Sequence, residues 1–270
     1  MSYAFEEGIM KNQYFGDIGD YGKYGLLKFL AQNDVKIAVN WYLTKDDDSR
    51  PGDGKFTKYL EKENERKYLE YDPELFRTLQ EMVLPESENR DVKLIELKDM
   101  LPGAIYFHEE LNLRDLKTVA ERKAHRDEWH RKALITCEGA DLVFLDPDNG
   151  LMEKPKYTKT AEKYTFPCEV AAYYKRGQNV VYYCHKGRRK PDPWESYKQY
   201  MMHCLPDAAF MGLTFHRGTQ RSYIFICHPE QAEQYRSLLS EFLKSEWGGA
   251  SEKKAPFTEE RTERFVPISI

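Results

Sequence analysis

The sequence feature that most constrains the fold is a short, wholly apolar run, Leu142-Val143-Phe144-Leu145, with acidic residues on both sides. A run of four apolar residues is too short for a buried helix and has the length of a strand that is covered on both faces. Such strands occur in the middle of parallel sheets, where helices lie on both sides. The run therefore predicts a central strand of an α/β protein.

Six further runs are predicted to be strands because they are rich in apolar, β-branched and aromatic residues. They are the segments 36–43, 92–97, 104–107, 179–184, 211–215 and 222–227. The last two are separated by a spacing typical of an antiparallel hairpin. Helices are predicted between the strands from apolar periodicity and from start signals such as Asp72-Pro73. They cover 22–32, 73–83, 114–134, 167–175, 193–205 and 229–243.

This alternation favours a Rossmann-like α/β fold: a doubly wound, mostly parallel sheet with a C-terminal antiparallel hairpin. We expect one domain over residues 1–247, with an N-terminal arm rich in glycine and tyrosine, and a loose, polar C-terminal tail over residues 248–270. A long helix over 114–134 carries basic and acidic residues together, and its charged face is predicted to be solvated.

The composition is that of a globular protein, with 41% hydrophobic and 32% charged residues. The N-terminus lacks the apolar run of a secretory signal, and no stretch approaches the roughly 20 apolar residues that span a bilayer. We therefore expect a cytoplasmic protein without a membrane partner. The net charge of −4 does not favour nucleic-acid binding, although a local basic patch suffices for it. The five cysteines form no CxxC pair, which argues against a disulfide framework or a cysteine zinc site.

The leading candidate for an active site is the loop Asp146-Pro147-Asp148-Asn149-Gly150, directly after the predicted central strand. In open α/β sheets, ligands bind beyond the carboxyl ends of the strands. A carboxylate there can activate water or stabilise positive charge, and an amide can hold a base edge or a sugar. We therefore predict catalytic roles for Asp146, Asp148 and Asn149. The alternative is that these residues only form a good turn.

A second candidate is the run 14–25, which contains four glycines, two aspartates and four aromatic residues ahead of a predicted helix. Glycines before a helix can bring backbone N–H groups to a phosphate. The substrate-binding residues predicted from this run are Tyr14, Asp17, Asp20, Tyr21 and Lys23. Alternatively, the run is an arm that covers the edge of the sheet.

A basic cluster over residues 183–190 follows another predicted strand and would face the same crevice. His185 is a candidate acid, base or phosphate ligand, and Lys186 and Arg188 are candidate phosphate contacts. Arg217, in the predicted hairpin, would reach the rim. The alternative is a basic surface turn.

The segment 45–55 follows the first strand, where a nucleotide-binding α/β protein has its glycine loop. Its aspartates would repel a pyrophosphate, but they could bind a hard cation. We expect no metal; if one is present, Asp46, Asp48 and Asp146 are the candidate ligands. A solvated acidic loop is the alternative.

Two stretches, YFGDIGDYGKYGLL at 14–27 and LVFLDPDNGL at 142–151, resemble a widespread family of bacterial proteins, and that resemblance implies no particular activity. The second stretch also resembles the D-P-P-Y motif of adenine-directed methyltransferases, which follows a strand of a similar sheet. Asp146 and Pro147 match this motif, whereas Asp148 and Asn149 replace its proline and aromatic residue. The methyltransferase resemblance implies S-adenosylmethionine as the cofactor.

These features favour a nucleic-acid-directed hydrolase without an organic cofactor, most simply a base-excising glycosylase acting on DNA. Three alternatives remain open. The first is an active or degenerate methyltransferase that uses S-adenosylmethionine, the second is a nuclease that uses a divalent metal, and the third is a non-catalytic, defence-associated binding protein. The expected partner is a nucleic acid or a nucleotide-like substrate.

Overall fold

The computed structural model describes residues 15–44, 56–84, 90–185, 200–217, 219–249 and 264–268. Its strands are β1 (Ile37–Asn40), β2 (Ile105–Phe107), β3 (Leu142–Leu145), β4 (Gly150–Leu151), β5 (Tyr164–Thr165), β6 (Asn179–His185), β7 (Ala209–Arg217), β8 (Thr219–Cys227) and β9 (Arg264–Pro267). Its helices include α1 (Ile18–Gln32), α2 (Glu65–Tyr68), α3 (Pro73–Val83), α4 (Lys93–Leu97), α5 (Val119–Thr136), α6 (Pro167–Lys175) and α7 (Ala232–Phe242). Residues 200–204, within the helix predicted over 193–205, are also helical. Short 3₁₀ helices cover Lys58–Leu60, Lys159–Lys163 and Glu246–Gly248.

Seven strands form one mixed sheet in the order β2-β1-β3-β6-β8-β7-β9, and β4 and β5 form a separate parallel pair. The strands β2, β1, β3 and β6 are mutually parallel, while β8, β7 and β9 add to them in antiparallel fashion. The predicted mixed α/β class, the parallel core and the C-terminal antiparallel hairpin are confirmed.

The apolar run over residues 142–145 forms β3, as predicted, and all four of its residues are buried. Leu142 and Phe144 belong to the core on one face of the sheet, and Val143 and Leu145 belong to the core on the other. Helices α1, α3 and α7 contribute to the first core, whereas α5 and α6 contribute to the second. Burial on both faces is the reason that this strand is apolar at every position.

The strand order reverses between β1 and β3. From β1 the chain proceeds to β2 on one side, and from β3 it proceeds to β6 on the other. The two strands are adjacent and in register, with Asn40 opposite Leu145. Trp41 and Asp146 therefore leave the sheet side by side, at the point where the connections diverge. This divergence opens the space in which the candidate site lies.

One predicted strand is wrong, because residues 93–97 form helix α4. The alternating pattern of Val92-Lys93-Leu94-Ile95-Glu96-Leu97 fits a strand, but Val92 and Ile95 also have helical spacing, and both are buried. The side chain of Asp91 accepts a hydrogen bond from the backbone N–H of Lys93 at 2.9 Å and so supports the helical start.

Helix α1 begins at Ile18, four residues before the predicted start at residue 22. Asp17 is the N-cap: its carboxylate accepts hydrogen bonds from the backbone N–H groups of Gly19 at 2.7 Å and Asp20 at 3.0 Å. Much of the glycine-rich run is therefore helical rather than a loop. Because the Asp17 carboxylate already accepts hydrogen bonds from the helix N-terminus, these backbone N–H groups are not available to bind a phosphate as predicted.

The glycines of α1 allow the helix to lie close to its neighbours. A Cβ atom on Gly19 would fall 1.5 Å from the guanidinium of Arg221, and one on Gly22 would fall 2.8 Å from the ring of Phe215. At Gly25 it would fall 2.2 Å from the indole of Trp247. These three glycines are spaced three residues apart and share one face, which faces the antiparallel half of the sheet and Trp247.

Helix α5 begins at Val119 rather than at residue 114, with a capping box formed by Thr118 and Glu121. The charged face of α5 was predicted to be solvated; Lys123, Asp127, Glu128 and Arg131 are exposed, whereas Arg122 and Arg126 are buried. Arg126 lies against the carboxylate of Glu169 on α6, with nitrogen–oxygen distances of 2.6 and 2.9 Å. This ion pair joins α5 to α6 beneath the sheet.

The C-terminal segment contributes to the sheet. Residues 264–267, within the segment expected to be a loose tail, form β9 and pair with β7. The ring of Phe265 packs on Phe215 with a centroid distance of 4.8 Å, and that contact anchors the strand. None of the helices in the described part of the chain is both long and apolar enough to cross a membrane.

Candidate active site

Asp146 is the first residue after β3, and an ion pair fixes its side chain. Its backbone N–H donates to the carbonyl of Asn40 on β1 at 3.0 Å, so the loop starts against the neighbouring strand. Its carboxylate lies 2.7 Å from the ammonium nitrogen of Lys23 on α1. Only 12% of the Asp146 side chain and 9% of the Lys23 side chain are exposed, so this ion pair is largely shielded from water.

Lys23 bridges two carboxylates. Its ammonium nitrogen lies 2.8 Å from Asp20, one turn earlier on α1, as well as 2.7 Å from Asp146. Asp20 also accepts hydrogen bonds from the backbone N–H of Gly16 at 3.1 Å and from the hydroxyl of Tyr24 at 3.2 Å. The same ammonium lies 5.4 Å from the centroid of the Trp41 ring, within the range of a cation–π contact.

Arg221 on β8 completes the charged group. Its two terminal nitrogens lie 3.2 and 2.8 Å from the carboxylate oxygens of Asp17, the residue that caps α1. We call Asp17, Asp20, Lys23, Asp146 and Arg221 the α1 cluster. It lies between the first turns of α1 and the carboxyl ends of β3 and β6, where β8 begins after the hairpin turn.

The α1 cluster contains three carboxylates and two cations. Burial raises the pKa of Asp20 and of Asp146, and the attraction of Lys23 offsets this effect only in part. Burial alone would lower the pKa of Lys23, but Asp146 and Asp20 outweigh it and hold that pKa well above its ordinary value. A buried carboxyl group with a raised pKa beside a permanent cation is suited to proton transfer.

The rest of the acidic loop is held by its surroundings. The carboxylate of Asp148 lies 3.4 Å from the ammonium of Lys163, and the backbone N–H of Asn149 donates to the carbonyl of Lys163 at 2.9 Å. Gly150 has φ +98°, and a Cβ atom there would lie 2.9 Å from the Cα atom of Cys184 on β6. The loop therefore contacts Lys163 on one side and β6 on the other, and these contacts fix the position of Asp146.

The turn that follows β1 is held from the opposite face of the sheet. Tyr42 has φ +50°, which is uncommon for a residue with a side chain. Its backbone N–H donates to the side chain of Asn40 at 3.2 Å, and its hydroxyl donates to Glu169 at 3.0 Å. Because Glu169 is also paired with Arg126, helices α5 and α6 stabilise the strained turn beside the candidate site.

The structure brings together four of the predicted site residues: Asp17, Asp20, Lys23 and Asp146. Asp148 and Asn149 lie on the same loop, where Asp148 pairs with Lys163 and Asn149 is exposed. His185 ends β6 in register with Arg221, and Arg217 ends β7; their backbones, but not their side chains, are described.

Tyr21 does not face the α1 cluster, although it was predicted to bind substrate. Its ring packs against Trp247 at 4.8 Å and Tyr59 at 5.3 Å, and its hydroxyl donates to the carbonyl of Tyr68 at 2.8 Å. The other predicted residues, Tyr14, Asp46, Asp48, Lys186 and Arg188, lie outside the described residues. In the described part of the chain, no group of three or more His, Cys, Asp or Glu residues is arranged to hold a metal ion.

Sequence reasoning missed three residues around the site. Lys163 lies on a 3₁₀ helix, Tyr24 is part of an aromatic-rich run, and Tyr223 belongs to an apolar strand, so none stood out as a polar group at a strand end. Arg221 lies in the predicted hairpin, but no role in the site was predicted for it. The alternation of β8 does contain a signal, because Arg221, Tyr223 and Phe225 share one face of the strand.

Comparisons with known proteins give a structural likeness but no family. No family model matches the sequence, and no curated protein matches it. Among solved structures, the chain is similar to protein LPL1258 from Legionella pneumophila str. Philadelphia 1, described under the family model DUF519. That match covers 95% of this chain and 97% of the Legionella protein, at 13% sequence identity and a TM-score of 0.44.

Proposed function

We propose that this chain is a hydrolase acting on nucleic acid, and that it cleaves the N-glycosidic bond between base and sugar in DNA. The observation that carries the proposal is the position of Asp146, which follows a central parallel strand at the point where the strand order reverses. Ligands of open α/β sheets bind in the crevice at that point.

The proposal includes a Rossmann-like, doubly wound arrangement of the parallel half. Two observations support it: the reversal between β1 and β3, and separate helix-lined cores on the two faces of the sheet. In such an arrangement the carboxyl ends of β1, β3 and β6 share one edge. A nucleoside bound there would lie against the loop that starts at Asp146.

The environment of Asp146 fits a carboxylate that takes a proton from water. A water molecule adds through its oxygen to C1′ of the sugar, and one of its protons passes to Asp146. The C1′–N bond breaks, its electron pair leaves with the base, and the base takes up a proton from solvent. Asp146 then releases the proton that it took from water to solvent, which returns the site to its starting state. Lys23 keeps Asp146 ionised before the reaction, and burial makes the protonated form accessible afterwards.

The remaining predicted residues have places in this proposal. Asn149 is exposed on the same loop and can contact a base edge. Asp148 pairs with Lys163, so its proposed role is to fix the loop rather than to react. His185 remains a proposed acid or base, Lys186, Arg188 and Arg217 remain proposed phosphate contacts, and Tyr14 remains a proposed stacking residue.

The proposal is tested by incubating the purified protein with undamaged DNA and with DNA that contains modified bases, in buffer with EDTA. We expect abasic sites in EDTA, and we expect Asp146→Asn to lose them. The matched control is Asp127→Asn, which changes an exposed carboxylate on α5 and should leave product formation unchanged. Intact DNA in every reaction would contradict the proposal, and nicking only with added Mg²⁺ would indicate a metal-dependent nuclease instead.

The second candidate is a methyltransferase-like protein. The observation that favours it is the order of the sheet, in which the strand followed by Asp146-Pro147 lies next to β1. Asn40 and Trp41 end β1 without a glycine, and residues 45–55, where a cofactor loop would follow, lie outside the described residues. Saturable binding of S-adenosylmethionine by isothermal titration calorimetry would support this candidate, and its absence would leave the hydrolase.

A further inference from the structure

Two tyrosines to which the proposed reaction gives no role lie in the same row of the sheet as Asp146. Asp146 follows Leu145, which pairs with Tyr182, and the next residue, Tyr183, pairs with Tyr223. Asp146, Tyr183 and Tyr223 therefore lie in one row across β3, β6 and β8. Side chains alternate along a strand, and Phe144, Val181 and Phe225 belong to the core on the face that α1 covers. Asp146, Tyr183 and Tyr223 each lie two residues from one of them and therefore belong to the same face.

Tyr223 has a buried hydroxyl without a hydrogen-bond partner among the described residues. The residue is 1% exposed, and its ring packs against Phe265 at 5.8 Å, Tyr183 at 6.1 Å and Phe144 at 6.3 Å. These contacts fix the ring, yet no group in the described part of the chain bonds to its hydroxyl. Buried hydroxyls in folded proteins are nearly always paired, so an unpaired one suggests a partner of another kind.

Charged groups of the α1 cluster act on that hydroxyl electrostatically. Burial raises the pKa of Tyr223, Asp146 and Asp20 raise it further, and Arg221 opposes them. Arg221 lies two residues before Tyr223 on β8 and so points to the same side of the strand. Its terminal nitrogens bind Asp17, but its Nε atom is buried and lacks a partner among the described residues. Two neighbouring donors on one face of β8 are thus left unused.

We propose that Tyr223 and Arg221 form a subsite for a neutral oxygen atom beside Asp146. The Tyr223 hydroxyl and the Arg221 Nε–H both donate to that oxygen, which is either a carbonyl or hydroxyl oxygen of the nucleoside or the oxygen of the attacking water. An anion fits less well, because the three carboxylates of the α1 cluster outnumber its two cations. This subsite rests on the proposed function and assigns it a group that sequence reasoning did not identify.

The test compares Tyr223→Phe with Tyr106→Phe. Tyr106 also has a buried hydroxyl without a partner among the described residues, but the charged groups that act on it are Glu96 and Asp99, which do not belong to the α1 cluster. Both substitutions remove one oxygen and retain the ring. We expect both variants to unfold at the wild-type temperature or slightly above it, because neither loses an internal hydrogen bond.

The two variants should differ in function. For Tyr223→Phe we expect a loss of about tenfold or more in glycosylase turnover or in nucleoside affinity, the size of one hydrogen bond to a ligand or a reacting atom. Tyr106→Phe should match wild type in both. A rise in the Kd for deoxynucleosides would assign the oxygen to the nucleoside, whereas a fall in kcat at an unchanged Kd would assign it to the attacking water. Inorganic phosphate should not raise the unfolding temperature of wild type.

The subsite and the proposed function fail in different ways. Absence of abasic sites with wild-type protein would overturn the glycosylase, while binding of a deoxynucleoside that weakens in Tyr223→Phe would still support the subsite. Wild-type turnover and affinity in Tyr223→Phe would overturn the subsite and leave the glycosylase intact. A clear drop in the unfolding temperature of Tyr223→Phe alone would also overturn it, because the hydroxyl would then have an internal structural role.

Discussion

At the scale of single residues, Lys23 is the residue on which the stability of the α1 cluster depends most. It is the only cation of the described residues that bonds to both Asp20 and Asp146. Lys23→Met should lower the free energy of unfolding by about 3–5 kcal/mol at pH 7, because it leaves two buried carboxylates without a counter-charge. Chemical denaturation measures this loss.

The pH dependence of that variant follows from the same charges. Since the pKa of Lys23 is raised in the folded state, its contribution is complete at neutral pH and is lost only as the pH rises through that raised value. In Lys23→Met, acidification should restore stability by protonating Asp20 and Asp146. Lys123→Met removes an exposed ion pair and should change the free energy of unfolding far less. An equal loss in the two variants would contradict this role for Lys23.

Gly150 is the residue that allows the acidic loop to lie against β6. Gly150→Ala should lower the free energy of unfolding by more than about 2 kcal/mol, because it combines a left-handed backbone with a Cβ atom only 2.9 Å from the backbone of Cys184. Gly139→Ala is the matched control, with φ +81° and no heavy atom within 4 Å of the added Cβ, and should cost about 1 kcal/mol. Equal costs would show that the contact with Cys184 is unimportant.

At the scale of elements, α1 reverses the usual preference for alanine over glycine in a helix. In an exposed helix the change to alanine stabilises by about 1 kcal/mol. In α1, Gly25→Ala places a Cβ atom 2.2 Å from Trp247, whose ring also packs on Tyr21 and Tyr71. We expect a net loss of about 1–3 kcal/mol from overpacking, with a shift in tryptophan fluorescence. A more stable variant would contradict the close packing of α1.

The interface between α5 and α6 should make stability depend on pH. His130 on α5 lies edge-on to Tyr173, and its two buried ring nitrogens have no partner among the described residues. Burial lowers its pKa, although Glu169 and Asp127 oppose this effect, while Arg126 and Arg176 add to it. Just below pH 6.5 the unfolded chain then binds more protons than the folded chain. The contribution of His130 to the free energy of unfolding is therefore complete above that pH and declines as the pH falls.

The variant His130→Leu should remove this decline. We expect its free energy of unfolding, measured in urea at pH 7.5 and pH 5.5, to change less between the two conditions than that of wild type. His125→Leu, at an exposed position on the same helix, should keep the wild-type difference. A wild-type pH dependence in His130→Leu would assign the acid sensitivity to other groups.

Most of the elements could be predicted because their patterns have a single interpretation. The apolar runs of β1, β3 and β6 fit only strands covered on both faces, and Asp72-Pro73 marks the start of α3. The prediction for residues 92–97 was wrong because their apolar positions fit both a strand and a short helix. The burial of Val92 and Ile95 favours the helix. The strand β9 could not be foreseen, since an isolated short segment after a polar stretch gives no signal for its partner β7.

At the scale of the whole molecule, the candidate site combines two motifs that the sequence identified separately. Lys23 and Asp146 are 123 residues apart, and no local pattern indicates that they pair. Their meeting requires the assembled sheet, because α1 must lie across the face that contains β3, β6 and β8. Glycines at positions 19, 22 and 25 make that crossing close. Arg221 could not be assigned for the same reason: its partner, Asp17, is 204 residues away.

The central claim is that Asp146 is present for chemistry rather than for stability. Since burial raises its pKa above that of the unfolded chain, the stability linked to Asp146 declines as the pH rises through its folded value. Its ionised form is therefore costly at neutral pH, whereas Asn at that position carries no charge. Asp146→Asn leaves Lys23 paired with Asp20 and keeps the backbone contact to Asn40.

The most direct test measures unfolding and abasic-site formation on the same preparation of Asp146→Asn. We expect a free energy of unfolding equal to or above that of wild type, together with a loss of about 10²-fold or more in product formation. A loss of about 3–5 kcal/mol in stability would instead mark the Lys23–Asp146 pair as a structural ion pair. That result, or wild-type product formation by Asp146→Asn, would contradict the account.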